Sequence, residues 1–145
     1  MNVKEIKHGS VEYQQECALR QEVLRKPLGL NLYDEDLDAE QGQNHFGLFD
    51  DQGQLVACAI AVPVTATEAK VRQMAVRPSL QGKGFGRLLL EGAEQVMSQR
   101  GFTDLFLHSR MTAIGFYERL GYIKNGPEFM EVGTPHVKMC KRIFF

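Results

Sequence analysis

Three glycines at alternate positions, Gly82, Gly84 and Gly86, lie in the segment Gln81-Gly82-Lys83-Gly84-Phe85-Gly86, between two differently patterned stretches. Residues 69–76, before it, read as a strand. After it, Phe85, Leu89, Ala93 and Val96 recur at helical spacing, and Gly101 follows Arg100 as a stop signal. Strand, glycine turn and helix leave the first helical N–H groups without acceptors, at the positive end of the helix. Glycine also removes the Cβ atoms that would hold an anion away. Lys83 and Arg87 add positive charge at the same place. The plain alternative is a tight turn that introduces a helix and binds nothing.

The common nucleotide patterns fail here. GxxxxGK[ST] is absent, which argues against a P-loop NTPase. GxGxxG fails because its third glycine falls on Arg87 counted from Gly82, and on Leu89 counted from Gly84. The strands before the turn also read as antiparallel, whereas a dinucleotide fold needs a parallel βαβ unit.

The rest of the chain supplies the frame. Residues 2–7 read as a short edge strand with Val3 and Ile6 apolar. Ser10 is a fitting N-cap for a helix over residues 11–25, which Pro27 and Gly29 end. The acidic run from Asp34 to Glu40 reads either as a solvated loop or short helix, or as a lure for a cationic substrate. Residues 45–49 and 55–63 flank Asp50-Asp51-Gln52-Gly53, a hairpin turn, and form an antiparallel meander with residues 69–76. A strand at 105–107, a short helix over 112–120 ended by Gly121, and a last strand over 137–144 complete the chain. The order β-α-β-β-β-α-β-α-β predicts one mixed α/β domain over residues 1–145.

Charge and cysteines narrow the partners. Seventeen Lys and Arg face eighteen Asp and Glu, a net charge of −1. That balance argues against a global grip on nucleic acid or an anionic membrane. The best apolar run, residues 55–64, is too short to span a bilayer, which takes roughly 20 residues. The N-terminal segment lacks an apolar signal region. Cys17, Cys58 and Cys140 are odd in number and far apart, and read as free thiols in a reducing cytoplasm. His8 and His45 read as surface or strand residues, and no ligand spacing suggests a metal.

Two segments carry a resemblance. Gln81-x-x-Gly84-x-Gly86 matches the [RQ]-x-x-G-x-[GA] loop of the GNAT superfamily of N-acetyltransferases. The segment from Ala113 to Tyr122, AIGFYERLGY, is similar to that superfamily's A-x-x-[FL]-Y-x-x-x-G-[FY] pattern. The likeness is strongest over residues 69–122. The stretch from Gly126 to Met139 further resembles the G-x-x-F-x-E-x-G-x-P-H-x-x-M ending of a YjcF-like bacterial branch.

The resemblance implies a GNAT fold, a mostly antiparallel mixed sheet splayed between its fourth and fifth strands and flanked by helices. It implies acetyl-coenzyme A as cosubstrate and no metal. The coenzyme would lie along Met74, Ala75 and Val76. Its pyrophosphate would rest on Gly82, Gly84, Phe85 and Gly86, with Gln81, Lys83 and Arg87 around it. Tyr117 would contact the coenzyme sulfur and act as general acid, and the Met74 N–H would polarise the acetyl carbonyl.

The base is open. Gln73 stands near where several relatives carry a glutamate, and an amide cannot take the proton at neutral pH. His108 is a candidate, beside a water chain to solvent, and a satisfied strand-end histidine is its plain reading. Glu131 and His136 either line the acceptor pocket with Gln73 or are polar residues satisfied by the backbone. The implied function is acetyl transfer to the amine of a small molecule or protein, by direct attack in a ternary complex. A catalytically weak acyl-coenzyme A-binding module is the alternative, and a homodimer is compatible with either. A nucleotide-binding regulator is disfavoured by the failed patterns.

Overall fold

A computed structural model of the chain describes residues 1–143. Strand β1 (Asn2–Ile6) pairs antiparallel with β2 (Asn44–Phe49), Asn2 opposite Phe49 and Ile6 opposite His45. β2 pairs antiparallel with β3 (Leu55–Pro63) across the expected turn. There Asp50 Oδ1 accepts from the N–H groups of Gln52 and Gln54, each at 2.9 Å, and Gly53 takes φ 76°. Leu55 through Ala61 are all buried, so β3 is covered on both faces and shows no alternation of buried and exposed residues.

Among the described residues the strand order is β1-β2-β3-β4-β5-β8-β6, with β7 on β8. In it β4 spans Glu68–Val76, β5 Asp104–Arg110, β6 Ile123–Lys124, β7 Phe129–Glu131 and β8 Thr134–Arg142. β4 and β5 run parallel, Glu68 opposite Asp104 and Lys70 opposite Phe106. The expected strand over 137–144 is thus β8, and Phe144 lies outside the described residues. The short strands β6 and β7 are additions to the order expected from the sequence.

The chain groups into two compact units. The first comprises Met1–Val62 and Arg72–Ala93. Its helix α1 (Val11–Arg20) starts at Ser10, whose hydroxyl accepts from Tyr13 N at 3.1 Å. Instead of continuing to residue 25, the helix widens into one π turn, Gln21–Arg25, and ends in a tight turn at Gly29, φ 71°. Ile6, Tyr13, Cys17, Leu32, Cys58 and Ala75 are buried in this unit's core. Helix α2 (Phe85–Gln99) lies so close to β1 at Gly92 that a Cβ there would meet Val3 at 2.7 Å.

The second unit comprises Pro63–Val71 and the chain from Glu94 onward. β8 is its spine, pairing antiparallel with β5, β6 and β7. The expected helix over 112–120 begins as a tight turn, Met111–Ala113, and becomes α3 (Ile114–Arg119), closed by Gly121 at φ 97°. A buried polar knot ties this part together. Glu94 accepts from the Tyr122 hydroxyl and from Lys141 Nζ, both at 2.8 Å, and Lys141 also reaches the Leu120 carbonyl. The Tyr122 hydroxyl is held neutral well above its usual range, by burial first and by Glu94 second.

Cys17 and Cys58 are buried free thiols, and Cys140 is half-buried and free. Among the described residues, no helix is long and apolar enough to cross a membrane.

Candidate active site

In the first unit the end of β4 leads directly into the glycine turn. Arg77 fixes the strand end, its N–H donating to Val56 O at 2.8 Å and its guanidinium to the Leu55 carbonyl. Gln81 then folds back, Nε2 donating to Val76 O at 3.1 Å. Gly82 and Gly84 adopt φ 77° and 84°, and nothing lies within 4 Å of the Cβ position at either. The first α2 hydrogen bond runs from Leu88 N to Gly84 O. The N–H groups of Phe85, Gly86 and Arg87 therefore have no acceptor inside the helix. Glycine conformation, open space and three such donors suit a phosphate anion. Lys83 is exposed there, while the Arg87 Nε is paired with Glu91 Oε1 at 2.6 Å.

Met74, Ala75 and Val76 close β4. Before them stands Gln73, a non-glycine residue at φ 56° inside a strand. Its side-chain Oε1 accepts from Arg25 Nη2 at 3.0 Å. Sequence carried no sign of this conformation, because glycine is the residue that ordinarily announces it.

In the second unit the strand register gathers His108, Glu131 and His136. β5 pairs with β8 with His108 opposite Lys138 and Arg110 opposite His136, and β7 places Phe129 opposite His136. His108 Nδ1 lies 3.0 Å from Glu131 Oε1. Phe129 packs edge-on against the His108 ring at 4.9 Å between centroids. Burial raises the Glu131 pKa, but the His108 hydrogen bond and charge, with Lys70 and His136, outweigh it and hold the carboxyl below its ordinary value. An ionised carboxylate only accepts, so Nδ1 carries the proton, and in the neutral ring Nε2 keeps its lone pair. His136 Nδ1 lies 2.9 Å from the Thr134 carbonyl, which fixes its proton in the same way. The turn holding Glu131 is Val132-Gly133, at φ 49° and 73°. A β-branched residue there is strained.

Tyr117 sits on α3, half-buried, with its ring edge-on to Phe116 at 5.0 Å and to Tyr122 at 5.9 Å. Burial raises its hydroxyl pKa and Arg110 pulls the other way, leaving it above the usual tyrosine value. The hydroxyl keeps its proton through the neutral range.

A third polar group lies in the first unit. Arg20 Nη1 donates to Glu16 Oε2 at 2.9 Å and to Glu40 Oε1 at 2.8 Å, Tyr13 donates to Glu40, and His45 Nδ1 lies 3.0 Å from Glu16. His45 is thus a strand residue, buried and ion-paired. Glu16, Glu40 and His45 offer ligand atoms within 4.8 Å of one another. The Arg20 guanidinium already supplies positive charge to both carboxylates, so this set does not fit a metal ion. Of the five acidic residues between Asp34 and Glu40, Glu35 pairs with Arg25 and Glu40 with Arg20.

Comparison with known proteins gives the family of this fold. A family model described as an acetyltransferase (GNAT) domain matches residues 12–143. The uncharacterized protein YyaT of Bacillus subtilis strain 168 is 39% identical over 75 residues, 52% of this chain and 51% of its own length. An uncharacterized N-acetyltransferase of Chlorobaculum tepidum is 36% identical over 77 residues, 53% of this chain and 48% of its own. The chain spans about half the length of these curated relatives. Among solved structures, a Lactobacillus plantarum protein classed by inference as an N-acetyltransferase superposes with a TM-score of 0.88. It is 27% identical and covered over 99% of this chain and 100% of its own. An aminoglycoside 6'-N-acetyltransferase complexed with coenzyme A shares the fold at a TM-score of 0.83 and 18% identity, over 99% and 98% of the two chains. The chain belongs to the GNAT acetyltransferase family.

Proposed function

We propose that the protein is an acetyl-coenzyme A-dependent N-acetyltransferase, acting on the amine of a small molecule or a protein by direct attack. The observation that carries this reading is the loop from Gln81 to Arg87. It presents the N–H groups of Phe85, Gly86 and Arg87, with open glycine space before them, at the end of β4. One relative of the same fold is complexed with coenzyme A, which supports a coenzyme ligand.

The chemistry is built from named atoms. His108 Nε2 takes a proton from the acceptor amine, whose nitrogen forms the new bond to the acetyl carbon. The Met74 N–H stabilises the oxyanion that develops on the carbonyl oxygen. As the carbon–sulfur bond breaks, its electron pair goes to sulfur and Tyr117 gives its hydroxyl proton to that sulfur. Glu131 holds His108 in the tautomer this requires. Gln81, Lys83 and the loop N–H groups hold the coenzyme, and Gln73, Glu131 and His136 border the acceptor.

A catalytically weak acyl-coenzyme A-binding module is the second reading. It is favoured by Gln73, an amide tied to Arg25 in place of a carboxylate base. Titration with acetyl-coenzyme A and then thiol release over a broad amine panel separate the two. Binding with thiol release on at least one amine supports the enzyme. Binding without release on any amine supports the module, and absence of binding overturns both.

A further inference from the structure

Three unusual features of the first unit converge on Arg25. The helix widens over Gln21–Arg25 into a π turn, in which Lys26 N donates to Gln21 O. The extra residue of a π turn rotates the next side chains by about 100° relative to an unbroken α-helix. Arg25 ends this turn outside helical geometry, at φ −123° and ψ −53°, and its guanidinium reaches Gln73 of β4. Its Nε and Nη2 donate to the two Glu35 oxygens at 2.6 and 3.1 Å, and Nη2 also donates to Gln73 Oε1 at 3.0 Å. The Arg25 hydrogen bond, against a smaller effect of burial, holds the Glu35 carboxyl below its ordinary value, so the clamp is charged at neutral pH.

Gln73 is the residue so held, and it is the one with a left-handed backbone inside β4. Such a conformation persists in a non-glycine residue only where surrounding contacts over-determine it. The ψ angle of Gln73 and the φ angle of Met74 set the plane of the peptide between them. They therefore set the direction of the Met74 N–H. The Cys58 thiol approaches the Gln73 carbonyl at 3.9 Å, a weak contact compared with a guanidinium bond.

We infer that Arg25 is a positioning residue that, braced by Glu35, holds Gln73 in its left-handed conformation and thereby orients the Met74 N–H for acetyl transfer. This rests on the acetyltransferase reading. Arg25 acts on turnover and leaves the phosphate loop untouched, since that loop is fixed by Arg77, Gln81 and its own glycines.

A double-mutant cycle with Arg25→Ala and Gln73→Gly tests it, because glycine adopts positive φ without a clamp. In the parent protein Arg25→Ala should lower kcat by about 10-fold with coenzyme Kd unchanged. In the Gln73→Gly protein the same substitution should change kcat by less than about 2-fold, and its loss of Tm should shrink likewise. Equal effects of Arg25→Ala in both backgrounds, on rate and on Tm, would overturn the proposal, as would a shift confined to coenzyme affinity. If Arg25→Ala does not fold, Glu35→Gln takes its place in the cycle with the same expected pattern. Should no amine release thiol from acetyl-coenzyme A in the parent protein, the acetyltransferase reading fails, while the Tm arm of the cycle still decides the clamp.

Discussion

The imidazole of His108 and the carboxylate of Glu131 meet at 3.0 Å across strands β5 and β7, and both strands are held by β8. The pairing fixes which ring nitrogen is protonated, so in the proposed mechanism the carboxylate acts through the histidine. Glu131→Gln should lower kcat about 10-fold. His108→Ala should lower it further, and adding Glu131→Gln to His108→Ala should cost nothing more. Thiol release with a saturating amine measures all three, and additive losses would show that Glu131 works by another route.

Tyr117 is the proposed acid. Burial holds its hydroxyl protonated beyond the neutral range, so Tyr117→Phe should lower kcat by about 100-fold with little change in coenzyme Kd. Single-turnover thiol release at pH 7 reads this directly. Full turnover in the variant would remove Tyr117 from the acid role.

Gly84 separates folding from binding. Nothing lies within 4 Å of its Cβ position, and its φ of 84° costs a side chain about 1 kcal/mol. Gly84→Val should therefore fold with a modest loss of Tm but bind acetyl-coenzyme A far more weakly, because the new methyl groups crowd the anion's place. Calorimetry checks it, and parent-like affinity would remove the loop from phosphate recognition.

His45 predicts how stability depends on pH. Burial pushes its imidazolium down, but the Glu16 carboxylate and the Glu40 carbonyl and charge outweigh that, leaving its pKa raised. The Tyr13 and His8 rings also face it, and Arg20 shares its Glu16 partner. A pKa higher in the folded than in the unfolded state contributes stability that is full below the unfolded value, about 6.5. That contribution is lost as pH rises through the higher folded value. Thermal melts should show Tm falling from pH 6 toward alkaline pH, and His45→Gln should flatten the slope. An unchanged slope in the variant would place the titration elsewhere.

The fold is legible in the sequence where glycine, proline and period act together. Gly53, Gly101 and Gly121 punctuate it, and the turn from Gln81 to Gly86 marks both the crossover and the proposed coenzyme loop. Three things are hidden, each for a physical reason. The Glu16–Arg20 pair has the i,i+4 spacing of an ordinary surface pair, and only burial against His45 and Glu40 reveals its weight. The left-handed backbone at Gln73 leaves no mark in the choice of a glutamine. His108 and Glu131 are 23 residues apart, and they meet through a register that no local pattern encodes. The acidic run reads in sequence as a solvated loop or short helix, or as a lure for cations. It is largely exposed and forms a short helical turn at Leu37–Glu40, and two of its carboxylates also brace arginines of α1 and the π turn.

The contact between Gly92 and Val3 reaches further than packing. Gly92 lies roughly two helical turns past the start of α2, where one added carbon would come within 2.7 Å of β1. The helix can neither roll about its axis nor draw back from the sheet without a clash or a gap. The compass heading of its first N–H groups is thus decided at its midpoint, and an alanine at 92 would detune the proposed anion recognition with every residue of the loop intact.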